Sequence, residues 1–252
     1  MILRIAVFGL LAGFVSAGAL AQTGLALPIL ADIESRQISV KVGNGLKSTR
    51  SLPRQSLRQA RLEMLAKHVV SDEDLRALAN YGDGLAALKY VRLLVSRYAG
   101  QPEHASDIAY YGAIAVGSGR VWPLEDMVLA MRALSPDTEP PKRINKYFKV
   151  LYAHAWAGNS IALDALVDFN GEGMLFGKLL EKTRLRIVEQ SVRNGGGRAE
   201  LRLAVRLMSK PQRSVEESEL VRGYLTRAIA ANDLAVRTTA QNLMTLLNGS
   251  DT

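Results

Sequence analysis

Few of the chain's residues have the types and spacing that chemistry requires. The three histidines, His68, His104 and His154, stand far apart, in no His-x-x-x-His or Glu-x-x-His arrangement, so no metal site is expected. His154 lies in Tyr152-Ala153-His154-Ala155-Trp156 and reads as a packed helical histidine in preference to a ligand or pH sensor. Asp164, Asp168 and Glu172 recur every four residues, and a carboxylate pair is what glycoside cleavage uses. The glycines after Asn170 stop the helix that would align them, so a solvated face is the plainer reading. Gly195-Gly196-Gly197 lacks the preceding strand and the Gly-Lys-Ser/Thr ending of a phosphate loop, and reads as a helix stop. The chain has no cysteine, which excludes disulfides, thiolate ligands and thiol nucleophiles. No catalytic residue, metal or cofactor is expected, and the chain is not read as an enzyme.

Two sets suit binding better than catalysis. Phe148, Tyr152 and Trp156 follow i, i+4, i+8, so a helix lines them up as one stripe, with Tyr147 beside it. Such a stripe serves either as core packing or as a groove in which Tyr and Trp anchor a partner. Between Arg36 and Arg61 stand seven basic residues and no acid. Three of these, Arg54, Arg58 and Arg61, share one helix face and form a candidate docking arm for an anionic partner.

The elements that must position these residues are helical. Aromatics make up 6% of the chain, while Ala, Leu, Val and Arg are abundant, a balance that favours helix over sheet. A Gly/Asn/Asp cluster followed by an Ala and then apolar residues at helical spacing recurs at Gly82–Ala86, Gly158–Ala162, Gly195–Ala199 and Asn232–Ala235. The Ala-to-Ala steps are 76 (86 to 162), 37 (162 to 199) and 36 (199 to 235), so one unit within the first step has diverged. A period of ~20–50 residues marks stacked repeats. Helices are expected over about 53–70, 71–80, 84–98, 105–116, 142–157, 161–169, 175–193 and 199–209, with one from Trp122-Pro123-Leu124. Ser214-Val215-Glu216-Glu217 is a capping box for another, and a last one ends near Asn248-Gly249. Residues 22–52 read as irregular, with one short strand or hairpin at Ile38–Val42. The fold class expected is all-α, an α-solenoid of antiparallel helix pairs over residues 53–248.

Leu166-Val167-Asp168-Phe169-Asn170-Gly171-Glu172-Gly173-Met174 and, more loosely, Tyr111-Gly112-Ala113 through Gly117-Ser118-Gly119 resemble the Sel1-like repeats of the tetratricopeptide superfamily. The resemblance covers about residues 71–247. It implies a scaffold for protein partners in envelope or exopolysaccharide regulation, and no catalytic residues.

Residues 1–21 read as a secretory signal peptide. Arg4 gives a positive start, Ile5–Leu20 is apolar, and Ala19-Leu20-Ala21 is an A-x-A site. No second apolar run is long enough to span a bilayer, so no transmembrane span is expected after cleavage. A periplasmic location follows, and export argues against nucleic acid as the partner of a chain with net charge +8. The expected function is an exported scaffold that binds a protein partner in the cell envelope. An envelope protein that binds or cleaves a glycan, above all an anionic one, is the alternative.

Overall fold

A computed structural model describes residues 37–249. The expected signal peptide and residues 22–36 lie outside the described residues. Eleven helices follow a 3-10 turn at Thr49–Ser51. The first five are α1 (Gln55–Leu65), α2 (Asp72–Asn80), α3 (Gly84–Tyr98), α4 (Pro102–Gly117) and α5 (Leu124–Met131). The next three are α6 (Pro141–Trp156), α7 (Ser160–Phe169) and α8 (Glu181–Asn194). The last three are α9 (Arg198–Met208), α10 (Val215–Ile229) and α11 (Leu234–Gly249). The protein is all-α.

The recurring signature is a set of helix starts. Asp83 Oδ1 accepts from the amides of Leu85 and Ala86, Asn159 Oδ1 from that of Ala162, and Asp233 Oδ1 from those of Ala235 and Val236. Each satisfies amides that a helix start leaves unbonded. Ser214 and Glu217 close the expected capping box.

Most consecutive helices pack on one another, most extensively α3 on α4, α4 on α5 and α9 on α10, and helices two apart meet at α4/α6, α5/α7, α7/α9 and α9/α11. Helices α4 and α5 lie within the 76-residue step. They approach closely at Gly112 of α4, where an added Cβ would lie 2.9 Å from Met127 Cβ of α5. Elsewhere Ala86, Ala162 and Ala199 are fully buried, as a close-packing point requires. Ala235 is a correction, because it is exposed. Capping by Asp233 puts Ala235 one residue too early in α11, and Val236 and Ala240 are buried there instead.

Two apolar cores result, and α4 is the wall between them. Its Tyr111, Ile114 and Ala115 join the core of α1–α3. Its Ala109, Ala113 and Val116 join the core that extends to Leu247 in α11.

Two further expectations are corrected. The stretch Leu175–Leu180 is not helical. Phe176 N–H donates to Phe169 O and Gly171 N–H to Gly177 O, which folds residues 170–180 into a loop, with Gly177 at φ 71°. Ile38–Val42 forms neither hairpin nor strand, only a single antiparallel bridge between Lys41 and Ser118. Its bonding partners are the end of α4, the turn after it and His154 of α6, and not a second strand beside it.

Candidate functional site

The segment 38–46 is a strap laid across the turns of the N-terminal helix pairs. Leu46 N–H donates to Gly82 O (2.9 Å), Val42 N–H to Gly117 O (2.6 Å) and Ser39 Oγ to Gly119 O (2.6 Å). Ile38 reaches Gly158, whose added Cβ would stand 3.7 Å from Ile38 Cδ1. At Gly45 and Gly82 backbone meets backbone: a Cβ on Gly45 would lie 3.2 Å from Gly82 O. Toward the C-terminus the turns bond to one another directly. Asn194 Nδ2 donates to Gly158 O (3.2 Å), and Asn232 N–H to Gly195 O (3.1 Å).

His154 pins the strap. The buried ring accepts from Val40 N–H at Nε2 (3.3 Å), and its Nδ1 lies 2.9 Å from Val150 O. The two contacts together fix the neutral tautomer with its proton on Nδ1. Burial holds its pKa below the ordinary histidine value, more strongly than the Val150 carbonyl raises it.

Two large cavities lie on different elements. One, of about 690 Å³, sits under the strap, between residues 42–45, the end of α2, and α4 and α6. The other, of about 700 Å³, is a groove across α5, α7, α9 and α11. Met131, Phe169, Met174, Leu175, Met208 and Leu243 supply its apolar surface. Met side chains adapt to irregular partners, which suits such a surface to an apolar peptide or helix.

The groove's polar edge is a charge network. Arg202 lies 2.5 Å from Asp168 and 3.7 Å from Asp164, and Arg132 lies 3.3 Å from Asp168. Arg206 donates to the carbonyls of Asn170 and Asp168. Burial pushes the Asp164 carboxyl up to about 6, with Arg202 pulling the other way. The carboxylate set of the glycan-cleaving alternative is thus divided: Asp164 and Asp168 are tied to arginines of α5 and α9, and Glu172 is exposed on the loop beyond α7. No group of three or more His, Asp or Glu side chains that could hold a metal ion occurs among the described residues.

The expected partner residues are placed as follows. Phe148, Tyr152 and Trp156 form a ladder on α6, with ring centroids 5.3 and 4.4 Å apart. The ladder is half-buried, with Phe176 edge-on to Phe148 and Arg186 of α8 over Tyr152 and Trp156. Arg186 Nη1 also donates to the Tyr152 hydroxyl (2.8 Å). These side chains join α6 to α8 and to the 170–180 loop. The basic face is not uniform. Arg54 is exposed at the start of α1, Arg58 Nε donates to Leu52 O (2.8 Å), and Arg61 lies 2.6 Å from Asp83. Arg61 therefore steadies the residue that caps α3. Lys142, Lys146 and Lys149, which line the strap-side cavity, were not among the sequence candidates, because lysines at helical spacing look like a solvated face.

No helix among the described residues is long and apolar enough to cross a membrane. No family model, curated protein or solved structure matches the chain.

Proposed function

We propose that this protein is an exported, periplasmic α-solenoid of Sel1-like or tetratricopeptide-like helix pairs that holds an apolar segment of a protein partner in the cell envelope. The observation that carries this reading is the groove of about 700 Å³ across α5, α7, α9 and α11. Stacked pairs build extended binding surfaces of this kind. A partner segment with an apolar face fits it, because Met174, Met208 and Leu243 bring partly exposed apolar side chains to its lining. The sequence features that support export are the charged start, the apolar run and the Ala19-Leu20-Ala21 site.

The test is affinity capture from envelope extract with the chain from Gln22 onward and with its Met208→Glu variant. A protein retained by the wild type and at least about tenfold depleted on the variant, at equal melting temperatures, supports the reading. No specific protein on the intact wild type, or the same proteins on both, overturns it.

A further inference from the structure

The cavity under the strap has a chemistry that the partner groove does not share. We propose that it binds a small polyanion, a ligand with two or more phosphate or carboxylate groups about one helical turn apart. Lys142, Lys146 and Lys149 line it, four and three residues apart on α6. That spacing sets their ammonium groups along one face of the helix, over ~10 Å at ~1.5 Å rise per residue. No Asp or Glu lines the cavity. None of the three lysines takes part in an ion pair among the described residues.

This contrasts with the pairing of arginines elsewhere in the chain. Arg61, Arg97, Arg132, Arg143, Arg198 and Arg202 each meet an aspartate. These six arginines, and Lys210 with Glu217, are matched with carboxylates, while the cavity gathers three lysines and no counter-charge. Lys146 is half-buried with the Tyr110 ring 5.7 Å away and no carboxylate partner, and a cation held away from water without a counter-charge costs free energy. Burial and, after it, Lys149 hold its pKa below the ordinary lysine value. A bound anion removes both penalties.

The remaining wall suits the same ligand. Asn44 on the strap and Asn145 on α6 bring side-chain amides that donate to anionic oxygens. Gly43 has open space where a side chain would stand, so the strap backbone stays accessible. Lysine is a hydrated point charge without arginine's planar fork, which favours a flexible multivalent anion over one rigid carboxylate. Strap residues Val42, Gly43, Asn44 and Gly45 form the wall facing these lysines, so the cations stand at the edge of a cavity and not on a flat helix surface.

Isothermal titration of the chain from Gln22 onward, at low ionic strength, tests the site with sodium tripolyphosphate and, separately, citrate. The comparison is the triple variant Lys142→Gln, Lys146→Gln, Lys149→Gln. The expected result is one site for at least one probe, weakened about tenfold or more in the variant at an unchanged melting temperature. The probe that binds more tightly distinguishes a phosphate ligand from a carboxylate one. At alkaline pH, heats in buffers of different ionisation enthalpy should show proton uptake on binding, lost in Lys146→Gln. Failure of the wild type to bind either probe, equal binding by the triple variant, or binding without proton uptake overturns the proposal.

Discussion

The two halves of the chain join their helix pairs by different means. In the N-terminal half a separate segment, the strap, bonds to Gly82, Gly117 and Gly119 and so links their turns. In the C-terminal half each turn bonds to the next, Asn194 to Gly158 and Asn232 to Gly195, while arginine–aspartate pairs join helices in both halves. The difference also separates the surfaces. The strap forms one wall of an open cavity lined by lysines, whereas an apolar groove lies across α5, α7, α9 and α11. One helix pattern thus yields two kinds of surface, according to what fills the space between pairs.

The largest blow to this contrast should come from Arg202→Leu. Buried Asp164 would lose its cation while Asp168 keeps Arg132, and a broken buried pair costs about 3–5 kcal/mol. Urea denaturation should show that loss; a change under about 1 kcal/mol would mean that the charge network does not hold the C-terminal half together. His154→Ala should cost about 2–3 kcal/mol, from the cavity and the lost bond to Val40. Its sharper signature is local: hydrogen exchange at the Val40 amide should accelerate while amides of α9 and α10 keep their protection. Acid should mimic it. With the His154 pKa depressed by burial, the folded state resists protonation, so this contribution is present above the ordinary histidine range and is lost as pH falls below it. A Val40 amide equally protected on both sides of that range would separate the strap from His154. Asn194→Ala should have the smallest effect, about 1 kcal/mol, since it removes one exposed bond between turns.

The sequence made the local features legible and hid the long-range ones. The bounds of α3 follow from the Asp83 cap at one end and Ala99-Gly100 at the other, all within the segment itself. The start of α8 was misplaced because Leu175, Leu179 and Leu180 look helical, while Leu175 is buried as a plug in a loop set by Gly177. The strap was invisible because its partners lie 80 and 114 residues away, and no local pattern encodes them. The aromatic stripe and the lysine set share α6 about a quarter-turn apart. Periodicity found the first, while only the strap's position distinguishes the second from an ordinary wet face. Of the basic face, spacing predicted the alignment but not that Arg61 belongs to Asp83 and Arg58 to the chain's own carbonyl.

The strap also imposes an order in time. A ribosome delivers residue 40 long before residue 154, yet Val40 finds its bond only at His154, 114 positions later. Neighbouring helices can pair as they emerge, since their contacts are local and loop closure is quick. The strap, made early, is therefore among the last of the described segments to find its place, and the lysine cavity gains its strap wall only when it does. A chain truncated before α6 would keep most of its early helices and have no such cavity.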